Sequence, residues 1–302
     1  MEDWNTGILE YWKNVGINIF SVESFFTLKK QMDLRNLKLF KFRDIMSFIK
    51  PKKRLGQHFL TDNNIARKIA NSLQVQDVQS LVEVGAGTGI LTQFLPKRYK
   101  NKIWLVEIDN EAVQILREKF PEMNECILEK NILKLNLGNE FSGNISLIGN
   151  FPYNISSQIF FKVLESKDQI KEVVCMVQKE VAERIRSGPG TKKYGILSVL
   201  LQAYYHIEIL FTVNENVFFP PPKVKSSVMR LTRNNRDHLA CDEQLFLRIV
   251  KTGFNQRRKT LRNSLKNGLF NKKTDEALMS KRPEELGVEE FITLTNFISN
   301  NL

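Results

Sequence analysis

The sequence predicts an α/β fold, in which an open β-sheet is followed by a small all-helical segment. Three observations support this prediction. From about residue 80, short apolar runs alternate with helical patterns, as expected of a chain that builds such a sheet. The first apolar run ends in glycines. Residues 243–302 carry helical periodicity and no strand signal, so a separate helical domain is expected there.

Each element can be placed from its own residues. Apolar runs of strand length predict β-strands at Ser80–Val84, Ile103–Ile108, Cys126–Leu128, Ile145–Ile148, Val173–Val177, Ile207–Val213 and Ser226–Leu231. Helical spacing of apolar residues predicts helices through Leu91, Phe94 and Leu95, over Asn110–Phe120, and over most of Tyr194–Tyr205. In the C-terminal segment, one helical face is expected to hold Phe254, Leu261, Leu265 and Leu269.

Three regions are expected along the chain. Residues 1–45 hold scattered apolar residues without a strand pattern, and their acidic residues argue against a transit peptide. Because Met46 opens a segment that resembles a natural beginning, residues 1–45 are either a non-native extension from an upstream start codon or a poorly ordered one. Residues 46–236 are expected to form the α/β domain. Residues 237–302 are expected to form the helical domain, after a polar linker.

Composition narrows the class of protein. The net charge of +12 favours a polyanionic partner, of which nucleic acid is the commonest, although a basic surface that aids solubility is the alternative. No run of about 18 apolar residues occurs, so no transmembrane helix and no membrane partner are expected. The three cysteines are far apart and lack CxxC spacing. No zinc site or disulfide framework follows, which fits a reducing cytoplasm.

A glycine turn follows the first predicted strand. Residues 83–89 read Glu-Val-Gly-Ala-Gly-Thr-Gly, and glycines at this position let backbone approach a ligand at a helix N-terminus. Alone the signal is weak. The dinucleotide fingerprint G-x-G-x-x-G is not met because position 90 is Ile90, and the Gly-Lys-Ser/Thr ending of a phosphate loop is absent.

An acidic residue, Glu107, ends the second predicted strand. In an open α/β sheet, an acid at this place can accept hydrogen bonds from both ribose hydroxyls of a ligand. A glycine turn without a pyrophosphate signature, combined with this acid, favours a nucleoside ligand that lacks phosphates, and S-adenosylmethionine is the obvious candidate. The alternative is an ordinary loop with a surface glutamate.

The fourth predicted strand leads into residues 149–156, Gly-Asn-Phe-Pro-Tyr-Asn-Ile-Ser. The N6 lone pair of adenine is delocalised into the ring, so two hydrogen-bond acceptors are needed to favour the pyramidal form that attacks a methyl sulfonium. Asn150 can supply its side-chain oxygen, and the carbonyl of Phe151, held by the turn at Pro152, can supply the second. Tyr153 offers a ring for base stacking. The alternative is a simple turn, since these residues are common in loops.

The motifs together resemble the KsgA family of ribosomal RNA adenine dimethyltransferases. The resemblance runs from about Lys52 to the C-terminus and covers nearly all of the chain except the extension. Besides the two motifs above, it includes Arg-Leu-Gly-Gln-His-Phe-Leu at 54–60, Gln-Lys-Glu-Val at 178–181 and Tyr-Gly-Ile-Leu-Ser-Val at 194–199. Phe-Phe-Pro-Pro-Pro-Lys-Val at 218–224 and the segment 254–265 complete it.

The resemblance implies a Rossmann-like S-adenosylmethionine-dependent methyltransferase domain and a small helical C-terminal domain. It implies dimethylation of two adjacent adenosines in the 3′-terminal hairpin of small-subunit (16S) ribosomal RNA, late in ribosome assembly. Tyr153 and Phe218 would enclose the flipped adenine. Asn131 stands where the family usually has aspartate, which keeps an acceptor but loses the charge. The implied cofactor contacts are His58, Leu60, Gly85, Glu107, Asn131 and Asn150.

A run of cations predicts the RNA surface. Between Arg248 and Lys266 there are seven basic residues and no acid. Arg258, Arg262 and Lys266 recur every four residues, so they are expected to line one helical face. Contact with the RNA backbone is therefore assigned to Arg257, Arg258, Lys259 and Arg262, and a second basic group follows at Lys223, Lys225, Arg230 and Arg233. The alternative is a solvated helix face, which usually carries charges of both signs.

Three other functions remain as alternatives. A resistance-type methyltransferase of large-subunit RNA shares the Asn-x-Pro-Tyr motif, whereas DNA adenine methyltransferases typically carry Asp-Pro-Pro-Tyr. A non-catalytic assembly or transcription factor could use the same scaffold, although the motif is intact here. The leading hypothesis has the assembling 30S particle as partner, a cytoplasmic location, a monomeric protein and no metal.

Overall fold

The computed structural model describes residues 51–95, 99, 102–266 and 277–301. Within these ranges, nine strands form a seven-stranded sheet and a separate two-stranded ribbon. The strands are β1 (Phe59–Leu60), β2 (Ser80–Val84), β3 (Ile103–Glu107), β4 (Ile127–Glu129), β5 (Ile145–Asn150), β6 (Ile170–Gln178), β7 (Tyr205–Val213), β8 (Phe218–Phe219) and β9 (Ser226–Arg233). The large sheet therefore confirms the α/β prediction.

The strand order of the large sheet is β4-β3-β2-β5-β6-β9-β7. The five strands from β4 to β6 are mutually parallel, and β9 runs antiparallel to both of its neighbours. The chain builds outwards from β2 to β4 and then returns to the other side of β2 with β5. The carboxyl ends of β2 and β5 form the switch point at which open α/β sheets bind ligands.

Helices cover the sheet and continue beyond it. The described helices are α1 (Asn63–Ala70), α2 (Asn110–Lys119), α3 (Leu137–Glu140), α4 (Ser156–Glu165), α5 (Lys179–Arg186), α6 (Ile196–Gln202), α7 (Glu243–Asn255), α8 (Leu261–Leu265) and α9 (Val288–Ser299). All five residues of β2 are buried, as expected for a parallel strand covered on both faces.

The helix predicted after β2 is wrong. The chain forms only a short 3-10 turn, Thr92–Phe94, and Leu95 is already extended. The physical reason lies in residues 85–89, where all three glycines take positive φ angles between 55° and 73°. Because a right-handed helix cannot contain these conformations, the loop takes up the residues that the helix would need.

The continuous helical face predicted from Phe254 to Lys266 is also interrupted. Helix α7 ends at Asn255, and Gln256 leaves the helical region with φ −120° and ψ 44°. The chain restarts as α8 at Leu261, whose N–H donates to the carbonyl of Lys281 over 2.8 Å. Arg258 therefore lies in a turn, whereas Arg262 lies on the next helix, and they do not share a helical face.

The C-terminal helices pack on the same hydrophobic core as the sheet. Phe246 of α7 meets Phe291 of α9 edge to face at 6.4 Å, and Tyr194 beside α6 meets Phe254 at 6.0 Å. The buried Leu261 of α8 belongs to the same cluster. Residues Arg54–Leu302 accordingly form one compact unit, in which the helical segment is continuous with the sheet.

The predictions for the N-terminal extension and for Leu269 have no counterpart in the described structure, whereas the one for membrane helices can be compared with it. The N-terminal extension, residues 1–45, lies outside the described residues, as does Leu269. None of the described helices is both long and apolar enough to cross a bilayer.

Candidate active site

A cavity opens at the carboxyl ends of β2, β3 and β5. Its walls include five of the residues singled out from the sequence, which are Gly85, Glu107, Asn131, Asn150 and Tyr153. His58 and Phe59, from the segment before β2, close it from the other side. The structure thus brings together the glycine turn, the acid and the Asn-x-Pro-Tyr turn, although they are distant in sequence.

Glu107 is buried at the end of β3, with 6% of its surface exposed. One carboxylate oxygen accepts from the Gly87 N–H at 2.8 Å. The other accepts from the N–H groups of Ile108 and Asp109, at 2.8 and 2.9 Å. Burial raises the pKa of Glu107, and these three backbone donors oppose that rise. Since a carboxylate offers about four acceptor positions, one remains for a ligand hydroxyl beside the three backbone donors.

Glu83 is a second buried acid, for which the sequence analysis gave no role. It lies under the glycine turn, 1% exposed, and accepts from the Thr92 hydroxyl at 2.7 Å. Burial raises its pKa to about 8, against the effects of Thr92 and of the Lys119 ammonium. Lys119 itself donates to the carbonyls of Thr88 and Gly89 at 3.2 and 3.3 Å. These two side chains therefore support the turn from below.

The raised pKa of Glu83 predicts a pH-dependent stability. Its folded pKa of about 8 exceeds the ordinary value of 4.5, so the folded protein holds a proton that the unfolded chain has already lost between these pH values. Its stabilising contribution is complete below pH 4.5 and is lost as the pH rises through 8. Glu83→Gln should remove a dependence of about 1 kcal/mol per pH unit. Urea unfolding of both proteins from pH 5 to 9 measures it; parallel profiles would contradict it.

Asn150 ends β5 and faces the cavity. Its side-chain Nδ2 donates to the carbonyl of His58 over 2.8 Å, and this bond fixes the orientation of the amide. The opposite atom, Oδ1, is buried and has no hydrogen-bond partner among the described residues. Buried polar atoms are seldom unpaired in folded proteins, so an unpaired acceptor at the ligand end of the sheet fits a site for a donor group of a substrate.

The turn after Asn150 is fixed on both sides. The Phe151 N–H donates to Met176 of β6 at 3.0 Å, and its buried ring packs against Phe160 of α4. The carbonyl of Pro152 accepts from the Ile155 N–H at 3.2 Å. Within the described part of the chain, no hydrogen bond reaches the carbonyl of Phe151. That oxygen is therefore available as the second acceptor that the sequence predicts.

Tyr153 lines the cavity, and Phe218 does not. The Tyr153 hydroxyl is hydrogen-bonded to Ser226, and burial raises its pKa. Its ring lies 5.3 Å from the His58 ring, tilted by 30°. Phe218 is only 4% exposed. Enclosure of an adenine between Tyr153 and Phe218 thus stays a prediction, and it requires the Phe218 ring to become accessible.

The segment from Arg54 to Leu60 crosses the carboxyl edge of the sheet. His58 Nδ1 donates to the carbonyl of Pro220 at 2.7 Å. Gln57, which the sequence analysis did not single out as a site residue, donates to Asp109 Oδ2 at 2.7 Å. Leu60 is 1% exposed and pairs with β8, so it supports the wall rather than lining the cavity.

Asn131 lies at the cavity wall after β4. Its Oδ1 accepts from the Leu133 N–H at 3.0 Å and so caps the following 3-10 turn. The oxygen that was expected to accept from a cofactor already has one donor, and its second lone pair is what a ligand could use.

Gly149 lies where β5 passes the end of β2 and leaves no room for a side chain. A Cβ atom at this position would collide with the carbonyl oxygen of Val84. Glycine is therefore required for the two strands to approach at the point where one leads into the glycine turn and the other into Asn150.

The cations of the RNA-binding prediction separate into two groups. Arg257 is half-buried, pairs with Glu284 at 2.5 Å, and donates to the Thr191 carbonyl at 3.1 Å. Arg258, Lys259, Arg262 and Lys266 are exposed and form no ion pair with any described residue. The exposed group can meet a polyanion, whereas Arg257 connects the turn after α7 to the loop before α6.

This division gives a matched pair of adjacent arginines. Arg257→Gln should lower the melting temperature because Glu284 loses its partner, and leave the salt dependence of RNA binding unchanged. Arg258→Gln with Arg262→Gln should leave the melting temperature unchanged and flatten the salt slope by about one unit per lost phosphate contact. Binding to small ribosomal subunits at several salt concentrations, with melting curves alongside, tests both. An exchange of the two phenotypes would overturn the division.

Comparison with known proteins agrees with this architecture. A crystal structure of a dimethyladenosine transferase from Plasmodium falciparum matches 80% of this chain and 98% of its own, with a TM-score of 0.67 and 22% identity. The crystal structure of the 23S rRNA methyltransferase ErmE matches 79% and 99%, with a TM-score of 0.59 and 22% identity. This chain therefore has the Rossmann-like fold that these methyltransferases share.

Sequence comparison gives the particular family. The family model described as ribosomal RNA adenine dimethylase matches residues 49–300, so the chain belongs to that family. Ribosomal RNA small subunit methyltransferase A of Bacteroides thetaiotaomicron is 55% identical over 260 residues, which cover 85% of this chain and 97% of the relative. The protein of the same name from Flavobacterium johnsoniae is 51% identical over 255 residues, covering 84% and 97%. The resemblance seen in the motifs is confirmed.

Proposed function

We propose that this protein transfers methyl groups from S-adenosylmethionine to N6 of two adjacent adenosines in the 3′-terminal hairpin of small-subunit (16S) ribosomal RNA. The observation that carries the proposal is the buried, unpartnered Oδ1 of Asn150. The names of the small-subunit methyltransferases that are 51–55% identical support the choice of RNA. The partner is the assembling 30S particle, in the cytoplasm, and the protein acts as a monomer.

The chain activates the acceptor nitrogen by hydrogen bonding. Asn150 Oδ1 and the Phe151 carbonyl accept the two N6–H groups and favour the pyramidal nitrogen with a localised lone pair. The donation from Asn150 Nδ2 to His58 keeps the oxygen pointing towards the base. No strongly basic side chain is needed, because the nitrogen becomes acidic once it carries the new methyl group and releases its proton to solvent.

The residues around the cavity fit the cofactor. When bound, S-adenosylmethionine supplies an electrophilic methyl group on a sulfonium. Gly85 leaves room for the ligand at the glycine turn, and the remaining acceptor position of Glu107 takes a ribose hydroxyl. Asn131 faces the same cavity and receives the adenine amino group with its second lone pair. The turn after β2 would therefore hold the cofactor, and the turn after β5 would hold the acceptor base.

RNA is held mainly through its backbone. Hairpin RNA is recognised by shape and phosphate contacts, and a target base must leave the stack to reach a cavity. The exposed cations Arg258, Lys259 and Arg262 supply such contacts without a competing acid nearby in sequence. Tyr153 offers its ring to the extruded base.

The proposed function is tested by identifying the methylated nucleoside that the protein forms. Unmethylated small subunits incubated with labelled cofactor should yield N6,N6-dimethyladenosine, mapped by mass spectrometry to two neighbouring positions. Large subunits serve as the matched substrate control. Modification of large subunits alone would favour the resistance-type alternative, and binding without any methyl incorporation would favour an assembly factor without catalysis.

A further proposal concerns residues 1–45, the N-terminal extension. Residues 1–45 precede the family match at 49–300 and are dispensable for chemistry, whereas 46–236 and 237–302 supply the catalytic and RNA-binding parts. A shortened chain that begins at Met46 should melt within a few degrees of the full chain and methylate small subunits at the same rate. A large fall in either quantity would show that residues 1–45 stabilise the enzyme.

A further inference from the structure

The ribbon formed by β1 and β8 carries an exposed aromatic ring, that of Phe219, beside residues that line the cavity. Phe59 pairs with Phe219 and Leu60 with Phe218. Residues directly opposite each other in an antiparallel pair project to the same face, and successive residues alternate. Leu60 and Phe218 share the buried face, so Phe59 and Phe219 share the other. Phe59 lines the cavity, whereas Phe219 is 44% exposed. Phe219 therefore projects from the same face of the ribbon as the cavity-lining Phe59, just outside the residues that line the cavity.

The loop that carries Phe219 is bound to the active site in three places. Its first residue, Phe218, pairs with Leu60. The carbonyl of Pro220, next to Phe219, accepts from His58 Nδ1, and the loop ends at Ser226, which is hydrogen-bonded to Tyr153. The Phe219 backbone is consequently held beside the cavity, and two of the three anchoring residues, His58 and Tyr153, line it.

The segment that follows Phe219 in the sequence is basic. Residues 216–236 contain no acid, and Lys223 and Lys225 are exposed without an ion pair to any described residue. Val224 between them is 46% exposed. Single exposed apolar residues are common on proteins. The combination of an exposed ring, unpaired cations and a fixed position at the cavity rim distinguishes this one.

We propose that Phe219 is a stacking platform for the unpaired nucleobase next to the target adenosine, with Lys223 and Lys225 on the adjoining phosphates. This inference rests on the proposed function. Because the two target adenosines are adjacent, one must lie just outside the cavity whenever the other is inside. Stacking on an aromatic side chain suits this base, since unpaired RNA bases are commonly held in this way. Phe219 thus holds the second adenosine outside the cavity until that base takes its turn inside.

The size of the expected effect follows from stacking energies. Aromatic stacking on a single base contributes about 1–3 kcal/mol, which corresponds to a roughly 5- to 150-fold change in binding. Phe219→Ala should weaken binding of unmethylated small subunits by this factor in the presence of S-adenosylhomocysteine. Phe219→Trp should keep wild-type binding, whereas Phe219→Leu, which keeps apolar area but lacks a ring, should behave as alanine does. Ile209→Ala removes a 37% exposed apolar side chain on β7 and is the matched control.

A protein–RNA cycle identifies the occupant. Small subunits are rebuilt with an abasic nucleotide at one of the two target positions, and the remaining adenosine is the substrate. Wild-type protein should lose the same factor on these subunits as Phe219→Ala loses on intact ones, and the two changes together should cost no more than either alone. Additive losses, or unchanged binding by Phe219→Ala, would overturn the platform. Methylation of intact subunits by wild-type protein is scored separately, so failure of the proposed function is distinguished from failure of this inference.

Discussion

Replacing Asn150 with alanine should lower turnover by about 100- to 1,000-fold at saturating small subunits, the usual effect of removing one preorganised hydrogen-bonding group from an active site. The amide oxygen is buried and unpaired before substrate binds, so it is aligned without further rearrangement. Binding of small subunits should change by no more than a few fold, because the RNA is held chiefly by cations elsewhere. Single-turnover methylation and equilibrium binding, measured on one preparation, separate the two effects.

A neighbouring amide provides the control for this experiment. Asn154 belongs to the same turn, and its Nδ2 donates to the Arg54 carbonyl at 3.2 Å. Asn154→Ala removes an amide of equal size that is not aligned with the end of β5, and should cost only a few fold in turnover. If Asn150→Ala weakened RNA binding as much as it slowed turnover, Asn150 would be a structural residue.

Glu107→Ala is expected to weaken cofactor binding by about 10- to 150-fold, compared with about 2- to 10-fold for Asn131→Ala. Hydrogen bonds to a charged acceptor contribute about 1.5–3 kcal/mol, and neutral ones about 0.5–1.5 kcal/mol. Glu107 also accepts three backbone N–H groups, so its loss releases the glycine turn as well. Calorimetric titration with S-adenosylhomocysteine measures both variants.

Two conservative variants sharpen this comparison. Glu107→Gln keeps an acceptor for the backbone and isolates the contribution of charge. Asn131→Asp keeps the cap on Leu133 and restores the charge usual in the family, so it should tighten binding modestly. A greater loss from Asn131→Ala than from Glu107→Ala would refute the assignment of both residues.

Strands β2, β3, β5 and β6 were predictable because parallel strands buried on both faces leave continuous apolar runs, whereas the two-residue strands β1 and β8 were not predicted. Four of the described helices, α1, α3, α4 and α5, were also not predicted. Helix α5, Lys179–Arg186, buries only Ala182 and Ile185 among charged neighbours, so it has few apolar residues by which to recognise it. The interruption between helices α7 and α8, at residues 256–260, contains no glycine or proline that would reveal it in the sequence. It is accompanied by the hydrogen bond from the Leu261 N–H to the carbonyl of Lys281, which is distant in sequence.

The motifs of the candidate site were predicted from the sequence, but the residues that support them were not. Asn150 and Glu107 were identified because their chemistry and sheet position are visible in sequence. The burial of Glu83 is not visible there, since it arises from packing around the glycine turn. Arg257 and Arg258 look equivalent in sequence, and only Glu284, brought near by folding, separates their roles.

Gly149 shows that the distance between β2 and β5 matters for this enzyme. Neighbouring strands repeat at about 4.7–4.9 Å, and this interval is one of the least adjustable dimensions of a protein. Because the glycine turn continues β2 and the Asn-x-Pro-Tyr turn continues β5, the distance between the two sides of the proposed site follows from this strand spacing. A single methyl group at position 149, opposite the Val84 carbonyl, would widen the gap while every functional group stayed present. The spacing of the backbone strands, and not only the side chains, therefore determines whether the proposed site can react.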